Sequence, residues 1–379
     1  GDRVPVGSAA VEGGAAVGIP GPVTPVTPVP SPAAVAPVAA PGPPASVRRS
    51  RRRLLAAGVT VVVIAAAVVA GVVLTSGKGG TKHPTKSPSA IHLVVNSAAR
   101  IDPSSNRLVG DVPAGDGAAG IVTGAGSVWI ASTGNDNVWR IDPSTNAIVA
   151  KVPVGFSPVG VAFGDGSVWV TNQRGVTVSR IDPRSNEVVR TIAPAETRIT
   201  DFPTAVALGG GVPDVWVLAS GADTVWKIDP GSNQVVDEIE VGPGPTTLAV
   251  GEGAVWVADE EKNVVYRIDP ATDKVVKVIK VGALPVGLAV GGGSVFVVNK
   301  ADDTMQRIDP VSNSIVATTR LPGDPTAIAI GEGSVWVATI DSVLRIDPGT
   351  SVVVNSIKLR PTIAALAVGE GGVWASVYA

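Results

Sequence analysis

No cysteine occurs among the 379 residues, which excludes disulfides and thiolate metal sites. Histidine is almost as scarce: His83 and His92 are the two copies, and neither has a companion histidine at metal-ligand spacing. Charged residues make up 16% of the chain, below the ~25% of an ordinary globular domain. No Gly-rich phosphate loop, nucleophile elbow or zinc signature is present. The carboxylate pairs Glu260-Glu261 and Asp302-Asp303 fall in hairpin loops, where solvated charge is the expected reading. The sequence therefore assigns no catalytic residue, no metal ligand and no cofactor.

What the chain has instead is repetition. Arg-Ile-Asp-Pro begins at Arg100, Arg140, Arg180, Lys227 (Lys for Arg), Arg267, Arg307 and Arg345, at spacings of 40, 40, 47, 40, 40 and 38 residues. A second motif keeps step: GAGSVWI at 124–130, GDGSVWV at 164–170, GGGVPDVWV at 209–217, GEGAVWV at 251–257, GGGSVFV at 291–297, GEGSVWV at 331–337 and GEGGVWA at 369–375. Seven copies of each at a period near 40 indicate one repeated supersecondary unit. Residues 158–197 read as four short strands, PVGVAFG, SVWVTN, VTVSRID and EVVRTIA, rich in Val, Ile, Thr and Trp. GDG or GEG supplies one reversal, and Asp-Pro-x-Ser/Thr-Asn another. Four antiparallel strands per period predict a propeller blade, whereas 45 Gly and 32 Pro argue against helical repeats.

The register predicts ring closure. The last repeat ends at Ala379 after two strands, and the first, near 94–115, has only the last two. Together they complete one blade, which hides the sheet edges an open array would expose. The fold class is therefore all-β: a seven-bladed β-propeller over 91–379 with a composite closing blade.

Residues 54–74, LLAAGVTVVVIAAAVVAGVVL, carry no charge. Their length, about 30 Å as a helix, predicts a single transmembrane span. Five arginines in RRSRRR at 48–53 precede it, and Lys78, Lys82 and Lys86 follow. The denser cluster stays inside, so the N-terminus is expected in the cytoplasm and the propeller outside the cell. Residues 1–53 form a Pro/Ala-rich tail with that basic cluster, expected to be disordered, and 75–90 form a linker. The chain opens on Gly1 rather than Met, so a fragment or processed product is expected. Residues 91–379 hold 21 Lys+Arg against 30 Asp+Glu, hence −9 by formal count (21 − 30). An acidic β domain with no basic stripe predicts no nucleic-acid partner. The expected partners are the cell membrane and an unknown extracellular ligand or protein.

The recurring Trp129, Trp169, Trp216, Trp256, Trp336 and Trp374, with Phe296 in the same slot, are expected to fill the gaps between blades, because packing repeats while function is usually asymmetric. Departures from the repeat are the better site candidates. APAETRITDFPT at 193–204 is the longest connection between blades and carries Arg198, Asp201 and Phe202. The loops between second and third strands share its face and add Asn135, Asp136, Arg174, Asp223, Glu260, Lys262, Lys300 and Asp302. Arg174, Arg198, Asp201, Phe202, Lys262 and Lys300 are the candidate ligand-binding residues.

The repeat P-x-G-V/L-A-V-G-x-G-S-V-W-V followed by R-I-D-P-x-T/S-N-x-V-V resembles the YVTN-type β-propeller repeat over 94–379. The order of Pro/Ala-rich segment, RRSRRR, span and propeller resembles the C-terminal half of actinobacterial receptor-type serine/threonine protein kinases. That resemblance implies a sensor domain, with a kinase upstream of Gly1; no HRD or DFG lies in these residues. The chain is also similar to streptogramin (virginiamycin B) lyase, a seven-bladed propeller family acting through a histidine, a nearby glutamate and magnesium. No blade interior here holds a histidine, so that activity is not carried over. A lyase-like enzyme and a cell-envelope scaffold stand as the alternatives to a sensor.

Overall fold

A computed structural model describes residues 91–378, apart from 197, 199 and 361. The expected tail 1–53, span 54–74 and linker 75–90 lie outside the described residues. Twenty-eight strands form seven four-stranded antiparallel sheets. Blades one to six each take four consecutive strands, at 118–153, 158–192, 203–240, 245–280, 285–320 and 325–358. Blade seven is composite: Ile363–Gly369 and Gly372–Val377 come from the end of the chain, Ser97–Asp102 and Arg107–Pro113 from its beginning. The joint is a regular antiparallel ladder in which Ala99 pairs Ala375 and Arg100 pairs Trp374. Each innermost strand packs against both neighbours, and Ile363–Gly369 closes the ring on Ala118–Gly124.

Local chemistry explains each reversal. First and second strands meet at x-Gly turns with two positive φ values, as at Glu252 (51°) and Gly253 (70°), the geometry whose twist suits a two-residue hairpin. Third and fourth strands meet at Asp-Pro-x-x-Asn, where Asn106, Asn146, Asn186, Asn233 and Asn313 take the left-handed conformation. The Asp side chain closes this turn: Ser104 N–H donates to Asp102 Oδ1 at 2.9 Å and Ser105 Oγ to Oδ2 at 2.7 Å. The hydroxyls of Ser105 and Ser104, with the Ser104 N–H, hold the Asp102 carboxyl down to about 2.

Second strands are buried along their whole length in most blades, for example Ala254–Asp259. The tryptophans they carry are fully buried. Trp129 packs on Val168, Val170 and Ile181 of the next blade, and Trp374 on Val128, Ile130 and Ile141 across the closure. The core is thus seven interblade clusters rather than one centre. Outermost strands behave differently. Each is interrupted by a one-residue bulge, at Val109, Val149, Val189, Val236, Val276, Val316 and Val354. These seven valines are 41–55% exposed and form a ring around the rim.

Candidate functional site

Much of the repeated polar chemistry is spent on holding blade to blade. Each Arg of Arg-Ile-Asp-Pro except Arg307, whose blade has Phe296 in that slot, lies on its own blade's Trp, as with Arg140 on Trp129 at 4.9 Å and Arg180 on Trp169 at 4.8 Å. It then donates into the Pro-x-x-Asn turn of the following blade. Arg140 reaches Pro183 O at 2.6 Å and Asn186 Oδ1 at 2.8 Å, and Arg180 reaches Pro230 O at 2.6 Å and Asn233 Oδ1 at 2.9 Å. Arg345 closes the circle on Pro103 O at 2.8 Å. Trp129, Trp169, Trp256 and Trp336 donate their indole N–H to the glycine carbonyl five residues earlier, at 3.1–3.3 Å. Arg and Trp are therefore scaffold on the turn-bearing face.

The opposite face carries the loops between second and third strands and those between blades. A second repeated device organises it. Asn96, Asp136, Asp223 and Asn263 have positive φ, and each accepts a backbone N–H 21 residues on, from Gly117, Ser157, Gly244 and Leu284 at 2.8–3.3 Å. This latch pins a short connection to the next blade. Val176 holds the equivalent place in blade two, with φ of 49°, a poor conformation for a β-branched residue and a side chain that cannot latch. The connection that follows it is the long one, 193–204. Asp136 and Asp223 are thus committed to loop structure, as is Asn135, whose Oδ1 accepts from Asp116 N at 2.8 Å.

The structure separates the six candidate residues. Arg198 and Asp201 wall a cleft of about 670 Å³ in the blade-three insertion, with Glu196, Asp223, Glu238 and Glu240. Asp201 is buried, and its Oδ2 accepts from the Arg198 N–H at 2.7 Å, so it shapes the loop. Phe202 is exposed, and its carbonyl accepts from Ser220 N at 3.0 Å, folding the insertion onto its own blade. Arg174 and Lys262 are exposed on separate loops, and the Lys262 N–H is anchored to buried Asp259 at 2.7 Å. Asp259 also accepts from Tyr266 Oη at 3.1 Å; burial and that carboxylate push the tyrosine up to about 12. Lys300 alone reaches the channel mouth. There a cavity of about 560 Å³ is walled by Thr133, Val286, Thr326, Ile363 and Tyr378. The Thr326 hydroxyl is buried and has no partner among the described residues.

Solved structures share this architecture. The chain matches a streptogramin B lyase structure at 18% identity and a TM-score of 0.61, over 74% of this chain and 94% of that one. It matches the Kuenenia stuttgartiensis hydrazine synthase at 15% and 0.59, over 69% and 93%. U3-55K matches at 11% and 0.59, over 68% and 90%. The fold is a seven-bladed β-propeller. No family model and no curated protein matches the sequence.

The two sites differ in chemistry. The insertion cleft is dominated by carboxylates around one guanidinium. The channel mouth offers the Lys300 ammonium, the unpartnered Thr326 hydroxyl, the Tyr378 phenol and aliphatic walls, a combination suited to an anionic group bearing an apolar substituent. Among the described residues no three His, Asp or Glu side chains gather as a metal site. Sequence reasoning missed Tyr378, which only ring closure carries to the mouth. It also missed Glu238 and Glu240, which belong to a regular outer strand and break no motif.

Proposed function

We propose that the chain is a membrane-anchored, extracytoplasmic binding module of the YVTN-repeat type, the sensor part of a receptor-type serine/threonine kinase. The observation that carries the binding reading is asymmetry. The turn-bearing face carries one clasp per blade around the whole ring, whereas the cavities at the insertion and at the channel mouth share the loop-bearing face and are lined by residues that do not recur from blade to blade. The ligand seats at the channel mouth, with Lys300 facing its anionic group. The apolar run 54–74 and the five arginines before it support the anchor and its orientation.

Two experiments test this. Protease added to intact cells should remove a C-terminal epitope tag and spare an N-terminal one; a protected C-terminal tag refutes the topology. A thermal-shift screen of carboxylates with one apolar group should yield compounds that stabilise the wild type and not Lys300→Ala. Equal shifts in both proteins place the site elsewhere.

A further inference from the structure

Two neighbouring outer strands break the rim's symmetry. Gln234–Glu240 of blade three carries Asp237, Glu238 and Glu240, and Lys274–Lys280 of blade four carries Lys274, Lys277 and Lys280. All six are exposed. No other outer strand has more than two charges, and where there are two they are opposite in sign. Nor are the six neutralised internally: among the described residues none has an ion-pair partner. Glu238 and Glu240 also wall the insertion cleft, so that surface continues onto the rim.

We propose that these two edges form a dimer interface whose partner is a second copy of this chain. An acidic edge directly beside a basic one is self-complementary under a two-fold axis. The charges also select the axis. A dyad tangential to the rim would set blade three against blade three, acid on acid. A dyad parallel to the channel sets blade three of each copy against blade four of the other. Heights then agree, because Asp237 and Lys277 both pair with the clasp cation of their blades, Lys227 and Arg267, while Glu240 and Lys280 pair with Thr224 and Val264. Asp237 faces Lys277 and Glu240 faces Lys280, each twice. The bulges at Val236 and Val276 prevent the two edges from joining by a continuous backbone ladder, so side chains carry the contact. Both copies present their loop-bearing faces in the same direction. The proposal does not depend on the reading of ligand or topology.

The test is sedimentation of the detergent-solubilised full chain at low and high salt. The wild type should be dimeric at low salt and dissociate as the ionic strength rises, because exposed pairs are screened. K274E/K277E/K280E should weaken the dimer roughly tenfold or more, and adding D237K/E238K/E240K should restore it. A wild type monomeric at low salt, a dimer indifferent to the triple reversal, or a swap that fails to restore it would each overturn the proposal. Because native cysteine is absent, oxidation gives an independent reading. D237C/K277C should yield a disulfide-linked dimer and D237C alone should not; cross-linking by D237C alone refutes the orientation.

Discussion

Replacing Asp273 with asparagine should destabilise the propeller, and replacing Lys227 with arginine as well should largely rescue it. Among the seven interblade clasps, the one with Lys in place of Arg is also the one with Asp in place of Asn. Lys227 Nζ lies 2.8 and 3.1 Å from the Asp273 oxygens, 3.0 Å from Pro270 O and 3.5 Å from Asp214. The three side chains are only 14%, 22% and 17% exposed, so solvent replaces little of what is lost. A charge-assisted hydrogen bond contributes ~1.5–3 kcal/mol, and two acceptors remain, so Asp273→Asn should cost about 1.5 kcal/mol. Lys227→Arg alone should be near neutral. K227R/D273N recreates the Arg180–Asn233 arrangement and should recover all but about 0.5 kcal/mol. The pH dependence has a definite sign. Burial pulls the Lys227 ammonium down, but the hydrogen bond to Asp273 and the charges of Asp214 and Asp273 outweigh it, leaving it above its ordinary 10.5. A raised lysine contributes fully below 10.5, and the contribution is lost as pH rises through the folded value. Urea unfolding followed by far-UV circular dichroism should therefore show wild type and Asp273→Asn converging only above pH 10.5. Equal stability at neutral pH, or single effects that add within ~0.3 kcal/mol, would refute the coupling.

Trp256→Ala should cost about 4–5 kcal/mol in urea unfolding, from a fully buried indole that also donates to Gly251 O, and should leave the binding of any channel-mouth ligand unchanged. Val176→Asn should raise stability by about 1 kcal/mol, because asparagine tolerates the left-handed conformation that valine resists; a lower melting temperature would contradict this. Of the two tyrosines, one should ionise near pH 12 in an ultraviolet titration, and Tyr266→Phe should abolish that step. Acid should loosen the turn-bearing face. The Asp102, Asp142, Asp229, Asp309 and Asp347 carboxyls are held below 3.8 by their turn hydroxyls and N–H groups. Their contribution is present above 3.8 and lost as pH falls through the folded values, so the protection of these turns against hydrogen exchange, relative to the intrinsic rate at each pH, should fall below that pH.

The sevenfold period made the blades and their closure legible, because Trp256 and its six counterparts each fill the same buried slot between blades. Contacts between repeats were not legible. Arg-Ile-Asp-Pro marks where Arg140 starts but not that it ends on Asn186, 46 residues away, since that partner is fixed only when blades stack. The insertion was visible as a break in spacing. Its cleft was not, because Glu238 and Glu240 come from the far edge of the blade and Asp201 turns inward to its own loop. Lys300 and Tyr378 meet at one mouth although they lie in blade five and just past the second strand of blade seven, a relation set by the curvature of the ring rather than by any motif.

The composite blade has a mechanical consequence. Ser97–Asp102 is the strand by which the chain enters the propeller, and it is sandwiched between Gly372–Val377 and Arg107–Pro113. A pull on the preceding segment directed along that strand loads both of its hydrogen-bond ladders in shear, all at once, instead of peeling one bond at a time. Any tension reaching the propeller from its N-terminal side is therefore borne first by the clasp that closes the ring. Rupture there would release the two ends of the chain from each other before any other blade is disturbed, so the force needed to open the molecule is set by this one sheet.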